Sequence, residues 1–348
     1  MSYFRNDIDA MPPYVPGEQP QLGKFIKLNT NENPYPRSPS VDQSILAALQ
    51  QGLGRYPDPL ATAFRQRAAE VLQVDPDWIV CGNGSDDILT ILTRSFVGHG
   101  EKIRLPYPSY ILYRTLAQIQ GAKWQEVSFL DDWSLGEEFS RATADLKLVF
   151  LANPNSPSGT RLSADQVMEI ADRLPCPLVV DEAYVEFADS DCLSLVMQQE
   201  KIIITRSMSK SYSLAGLRFG YLVAQPQIAA TISKVKDSYN CDALAIAGAT
   251  AAIDDQLWLQ ETRGKIISTR ERMSLRLREL GFHVTRSEAN FVWCTGANVP
   301  LQTIYEQLKA SRILVRYMEY PDWGNGLRIS VGTDDQVDAC LGLLETMV

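Results

Sequence analysis

Lys201-Ile202-Ile203-Ile204-Thr205-Arg206-Ser207-Met208-Ser209-Lys210 sets a run of β-branched, apolar residues directly against a polar loop that ends on a lysine. An apolar run without alternation predicts a strand buried on both faces. The same pattern repeats outward. Short apolar runs at 78–81, 102–105, 146–152, 178–180 and 220–224 are each bounded by Pro, Gly or polar residues. Stretches at 44–51, 60–71 and 86–96 carry helical spacing, and Ser85 reads as the N-cap of the last. Strands interspersed with helices predict an α/β fold whose mostly parallel sheet is covered by helices on both faces. A long helical region over 243–280 follows. A second α/β stretch has strands at 290–294, 313–316 and 327–331, and helices at 301–311 and from 335. The expected organisation is an N-terminal arm over 1–40, a large domain over 41–245 and a smaller C-terminal α/β domain over 246–348, joined by the arm. Pro12, Pro13, Pro16, Pro20, Pro34, Pro36 and Pro39 keep that arm extended, lying on its own body or on a partner subunit.

The 348 residues carry a formal net charge of −9, which argues against nucleic acid and anionic membrane surfaces as partners. A local cluster of Arg still admits a small anionic substrate. The six cysteines form no CxxC pair and sit in or beside apolar runs, as buried reduced thiols of a cytoplasmic protein do. The two histidines, His99 and His283, lie far apart without ligand spacing, so no metal site is expected. The first 20 residues lack the apolar core of a signal peptide, and no run approaches a membrane span.

Chemistry-bearing residues gather where apolar runs end. The run at 78–81 leads to Gly84-Ser85-Asp86, that at 146–152 to Asn153-Pro154-Asn155-Ser156, that at 178–180 to Asp181, and that at 201–205 to Lys210. Open α/β sheets bind ligands outside the carboxyl ends of their strands, so four such ends point to one pocket. Lys210 is a candidate nucleophile, or else a solvated lysine in a Ser-rich loop. Ser207, Ser209 and Arg218 could hold a phosphate. Asp181, leaving a buried strand, needs a partner; a protonated pyridine nitrogen is one, a helix cap or an arginine another. Tyr184 could reach a ring hydroxyl, and Tyr110 could stack on a planar ring or simply fill the core. Ser85 and Asp86 open a helix that could bind an anion or be plainly capped. Arg316 and Arg328, near the ends of apolar runs, suit a small di-anion or surface ion pairs.

These residues occur in an order that resembles the fold-type-I pyridoxal-phosphate aminotransferases. The likeness rests on Asn29-Thr30-Asn31-Glu32-Asn33-Pro34-Tyr35, Arg55-Tyr56-Pro57-Asp58, Gly84-Ser85-Asp86, Pro108-Ser109-Tyr110 and Asn153-Pro154-Asn155-Ser156-Pro157-Ser158-Gly159. It continues through Asp181-Glu182-Ala183-Tyr184, Ser209-Lys210, Leu214-Ala215-Gly216-Leu217-Arg218, Asn290-Phe291, Ile313-Leu314-Val315-Arg316 and Leu327-Arg328-Ile329-Ser330-Val331-Gly332, and so spans nearly the whole chain. Within the family the motifs are most similar to the branch whose donor is L-histidinol phosphate and whose acceptor is 2-oxoglutarate. The resemblance implies that the large domain binds pyridoxal 5′-phosphate. Lys210 would hold it covalently and then move the proton between the substrate Cα and C4′. Asp181 would bind the ring nitrogen, Tyr184 the ring hydroxyl, and Tyr110 would stack on the ring. Ser85, Asp86, Ser207, Ser209 and Arg218 would hold the phosphate. Tyr56 would reach the neighbouring subunit's phosphate in a homodimer. Tyr14, Asn33, Arg316 and Arg328 would contact substrate. One departure concerns the family's loop Asn that touches the ring hydroxyl: Ser156 stands there, so Ser156, a water or Asn155 must take over. A second is Asp87, where Glu is common. Other reactions on the same fold include transamination of aromatic or varied amino acids and decarboxylation of phosphothreonine. A dinucleotide enzyme would need a third Gly after Gly82-Asn83-Gly84, and a regulator module a basic helix-turn-helix before the arm; neither is present.

Overall fold

Ile202, Ile203 and Ile204 are fully buried, and their side chains alternate between two cores. Ile203 faces helices Ser85–Phe96, Leu112–Gln120 and Pro226–Ile232, while Ile202 and Ile204 face helices Ala164–Arg173 and Leu195–Gln198. The computed structural model describes residues 2–11, 18–19, 23–296 and 298–348. Its strands are β1 Ile26–Lys27, β2 Ile79–Gly82, β3 Lys102–Tyr107, β4 Lys123–Ser128, β5 Leu146–Ala152, β6 Leu178–Asp181, β7 Ile202–Ser207, β8 Gly220–Val223, β9 His283–Val284, β10 Phe291–Thr295, β11 Ile313–Leu314, β12 Arg316–Tyr320 and β13 Gly324–Ser330.

The large sheet has seven strands in the order β2-β8-β7-β6-β5-β3-β4, and β8 alone runs against the others. The mostly parallel α/β sheet expected from the sequence is therefore observed. Near the β2 end, helices Thr62–Leu72 and Ala243–Asp254 cover one face. A second sheet, β12-β13-β10-β9, is antiparallel and packs on helices Gln256–Glu279, Leu301–Ala310 and Asp334–Glu345. β1 pairs in parallel with β11 in a separate two-stranded sheet, which ties the N-terminal segment to the elements around the second sheet, where Leu28 is buried in the same core.

Several local readings are corrected. β4 has no apolar run, because it is an edge strand in which Val127 alone is buried. Gly84, with φ 85°, is the N-cap of helix Ser85–Phe96, so Ser85 is its first residue rather than its cap. A side chain at 84 would be strained and would collide with the Arg218 guanidinium. The helical region over 243–280 breaks at Asp255, whose carboxylate accepts from Trp258 N and from Ser38 Oγ. The arm is not wholly extended, since Asn6–Asp9 makes one helical turn. All six cysteines are buried and none forms a disulfide. Among the described residues no helix is long and apolar enough to cross a membrane.

Candidate functional site

Parallel register aligns three strand ends: Ala152 of β5 pairs with Asp181 of β6, and Asp181 with Thr205 of β7. Glu182 N donates to Thr205 O at 2.8 Å and Asn153 N to Asp181 O at 2.9 Å, so the three chains leave the sheet together. Beyond β7 the backbone folds back on itself through Met208 N to Phe219 O and Leu214 N to Met208 O. Lys210 thus stands over the same ends. Its Nζ donates to Thr30 O at 3.3 Å and lies 5.8 Å from the Tyr184 ring centroid.

Asp181 is buried among donors. Tyr113 Oη donates to its Oδ2 at 2.8 Å, Thr205 Oγ1 to Oδ1 at 3.3 Å, and Ala183 N to Oδ1 at 3.2 Å. Burial nevertheless dominates and pushes the carboxyl up to about 6; Tyr113 and Thr205 pull it down, and nearby Asp86 adds to the rise. A carboxyl raised on folding gives its full stabilising share below its ordinary range, and loses it as pH climbs through the raised value. The ligand-free Asp181→Asn variant should therefore gain stability relative to the parent, by roughly 2–3 kcal/mol between about pH 4 and pH 8. Denaturant titrations across that range measure it. A difference that does not change with pH would contradict this account of the carboxylate.

A second cluster lies at the start of helix Ser85–Phe96, where the first N–H groups lack intrahelical acceptors. Gly220 lets β8 approach: a Cβ there would sit 2.5 Å from Ser85 N. Arg218 Nη2 pairs with Asp86 Oδ2 at 3.0 Å, and Tyr110 Oη donates to Asp86 Oδ1 at 3.1 Å. Ser207 and Ser209 are buried beside this corner. Ser207 Oγ accepts from Ser209 N, while Ser209 Oγ has no hydrogen-bond partner among the described residues. Hydroxyls, helix N–H groups and a guanidinium gathered here are groups that could hold a phosphate dianion.

The antiparallel register places Arg316, Arg328 and Trp293 side by side on one face of the second sheet. Arg328 donates to Ser156 Oγ at 2.9 Å and to Asn29 O at 3.2 Å, yet its Nε has no partner. Burial pulls its guanidinium below the ordinary arginine value. The Arg316 backbone pairs with Arg328 in the ladder, and its side chain makes no hydrogen bond or ion pair among the described residues. Two cations, one of them half-buried with its Nε shut away from any partner, call for an anion.

Other expected residues are placed less simply. The Asn155 side chain is committed to the loop, accepting from Ser109 Oγ and donating to Pro108 O and Ser158 Oγ. Asn33 donates to Ser211 O and accepts from Tyr35 N. Tyr56 is 80% exposed and stacks on Tyr239 at 4.4 Å. Tyr14 lies outside the described residues. Reasoning from sequence passed over Asn31, which donates to Tyr184 Oη at 3.0 Å and is held by Ser330 Oγ and Asn290 Nδ2. It also passed over Tyr113 and Thr205. Thr205 sits within a strand pattern and carries no signal of its own. Tyr113 follows Tyr110 at helical spacing, the one hint that both face the same place.

A family model described as aminotransferase class I and II matches residues 23–344. The chain is 58% identical to the histidinol-phosphate aminotransferase of Rhodopirellula baltica over 98% of its own length and 95% of that protein. It is 44% identical to histidinol-phosphate aminotransferase 1 of Trichormus variabilis, covering 96% of each. A crystal structure of histidinol-phosphate aminotransferase from Sinorhizobium meliloti, in complex with pyridoxal-5′-phosphate, is similar at 26% identity. The two superpose with a TM-score of 0.88 over 100% of this chain and 99% of that one.

Proposed function

The chain belongs to the class I and II aminotransferases, and from that membership we infer that it transfers the amino group of L-histidinol phosphate to 2-oxoglutarate, with pyridoxal 5′-phosphate as cofactor. The products are imidazole acetol phosphate and glutamate, a step of histidine biosynthesis. The observation that carries this reading is the convergence of Lys210, Asp181 and Arg328, which reaches Ser156 beyond β5, on one end of the large sheet, with Arg316 beside Arg328 on the second sheet.

The residues fit the cofactor. The unpartnered, buried Ser209 Oγ beside the helix N-terminus and Arg218 suits its phosphate, and the buried Asp181 carboxylate suits its ring nitrogen. When bound, that group supplies a carbonyl for amine exchange and a ring that stabilises negative charge at the substrate Cα. Lys210 would hold it, and the same amine would take the proton from the substrate Cα and carry it to C4′. Asp181 keeps the ring nitrogen protonated, and Tyr110 orients the ring. Tyr184, its hydroxyl fixed by Asn31, meets the ring hydroxyl. Ser156 is free to donate there because it accepts from Arg328, whereas Asn155 is spent on its loop. Ser85 and Asp86 through backbone N–H, with Ser207, Ser209 and Arg218, bind the phosphate. Arg328 takes the anionic group of each substrate and Arg316 the donor's phosphate, with Tyr14 and Asn33 at the substrate's edge.

Leu46, Leu49, Leu53, Tyr56, Leu60 and Tyr239 are exposed along helix Pro39–Gln51 and the segments near it. Soluble monomers rarely leave so much apolar surface uncovered. A second copy would cover it and would bring Tyr56 to the neighbour's cofactor phosphate. The working unit is then a cytoplasmic homodimer whose protomers divide into an arm over 1–40, a large domain over 41–245 and a small domain over 246–348.

Purified protein mixed with L-histidinol phosphate alone should lose the cofactor's aldehyde-form absorbance, and 2-oxoglutarate should restore it. Bleaching by an aromatic amino acid but not by histidinol phosphate would overturn the substrate. Carbon dioxide release from phosphothreonine, without need of 2-oxoglutarate, would overturn the reaction.

A further inference from the structure

We propose that Tyr113 is a positioning residue: its hydroxyl fixes the Asp181 carboxylate in its ionised form, so that the shared proton stays on the cofactor's ring nitrogen. The inference rests on the cofactor reading above and goes beyond it, because Tyr113 itself touches neither cofactor nor substrate.

The geometry singles out this side chain. Tyr113 is fully buried on helix Leu112–Gln120, and its hydroxyl donates to Asp181 Oδ2 at 2.8 Å. That is the shortest of the three bonds to this carboxylate, against 3.3 Å from Thr205 and 3.2 Å from Ala183 N. The ring cannot swing away. It stacks on Phe150 with centroids 4.8 Å apart and 9° between planes, and it meets Tyr110 edge-on at 5.6 Å. Tyr113 therefore braces two groups at once: the carboxylate that faces the ring nitrogen and the tyrosine that faces the ring.

The chemistry turns on where one proton sits. An Asp–pyridine pair carries a single proton that rests either on the carboxyl oxygen or on the nitrogen. Burial favours the carboxyl oxygen, and the charge of Asp86 pushes the same way. A hydroxyl can donate to a carboxylate, and this donation opposes both influences. The Tyr113 phenol cannot itself ionise to compete, since burial and the Asp181 charge push it far above its ordinary value. Tyr110 and Tyr184 also lie near Tyr113, with their hydroxyls bonded to Asp86 and Asn31, while the Tyr113 hydroxyl bonds Asp181 directly.

Tyr113→Phe keeps the ring and its stacking while removing the donor. The test loads parent and variants with pyridoxal phosphate labelled with ¹⁵N at the ring and reads the nitrogen's chemical shift, together with the cofactor Kd. The parent should show the protonated-nitrogen shift. Tyr113→Phe should move it toward the neutral-pyridine value and raise Kd by about tenfold, the effect of one lost bond to a charged group. Thr205→Val, which removes the longer contact, should stay near the parent. If Asp181→Asn loses the protonated signal while Tyr113→Phe keeps both signal and Kd, the inference falls and the cofactor reading stands. If Thr205→Val instead abolishes the protonated signal, the role belongs to Thr205 and the inference again falls. That second comparison holds even if Tyr113→Phe does not fold. A parent protein that binds no pyridoxal phosphate overturns both.

Discussion

Lys210→Ala is expected to lower kcat by at least about 10³-fold while leaving the fold intact, because one amine is asked both to hold the cofactor and to carry the proton. The position of that amine is what makes the loss large. Lys210 Nζ is held by Thr30 O and lies against Tyr184, above the aligned ends of β6 and β7. Lys27, the cation next to this segment, is tied to Glu32 at 2.6 Å and does not substitute. Glu32 is half-buried; its bonds to Lys27 and Thr30 outweigh burial, and the Lys210 charge adds to them, so its carboxyl stays below the usual value. The segment 29–33 thus presents a fixed anion toward an ammonium group. Single-turnover bleaching with L-histidinol phosphate, and cofactor retained after dialysis, both read the variant. Turnover within tenfold of the parent would refute the assignment of Lys210. A far-ultraviolet spectrum matching the parent excludes unfolding as the cause.

The large sheet was legible in the sequence because its inner strands are buried on both faces, and such strands must be apolar throughout. β5, β6 and β7 therefore announced themselves, and the polar residues that end them marked the site. β4 hid because an edge strand faces water and needs no apolar run. The pairing of β1 with β11 hid because two-residue strands have no periodicity, and their register depends on a partner nearly 290 positions away. Within the candidate site, Asp181 and Lys210 were legible as polar groups beyond the ends of apolar runs, and Tyr184 and Arg218 by their short spacing from those two. Tyr113 was not. A tyrosine on an amphipathic helix reads as core, and here it is core on every side except its hydroxyl. Asn31 and Asn33 illustrate a different limit. Both sit in one polar run, and which of them turns toward Tyr184 is decided by Ser330 and Asn290, far along the chain.

Arg206→Met should destabilise the ligand-free protein by roughly 3–5 kcal/mol, the cost of leaving one member of a buried ion pair alone. Arg206 Nε and Nη2 donate to Glu182 Oε2 at 3.0 and 2.8 Å, and Nη2 also reaches Asp191 at 2.8 Å. Glu182 is wholly buried, and its other oxygen accepts from Cys192 N at 2.6 Å. Burial pushes the Glu182 carboxyl up to about 7 while Arg206 and the Cys192 N–H pull it down; with Arg206 removed, only the Cys192 bond is left to oppose the rise. A carboxyl raised on folding loses its stabilising share as pH increases through the raised value. The deficit of Arg206→Met should therefore grow as pH rises above about 7, where the parent carboxylate is charged and paired, and shrink on acidification below it, as denaturant midpoints across pH would reveal. Adding Glu182→Gln should recover much of it by removing the stranded charge. A deficit independent of pH, or one that Glu182→Gln fails to relieve, would assign the loss to packing instead. The pair also bears on catalysis by its position. Glu182 follows Asp181 at the end of β6, and Arg206 precedes Ser207 at the end of β7, so their ion pair fastens together the strand ends that lead to Asp181, Ser207 and Lys210. Asp181 is itself an ionisable group that burial makes costly. The sheet end tolerates two such carboxylates because Arg206 and the Cys192 N–H hold one, and the tyrosine and threonine donors hold the other until a ligand arrives.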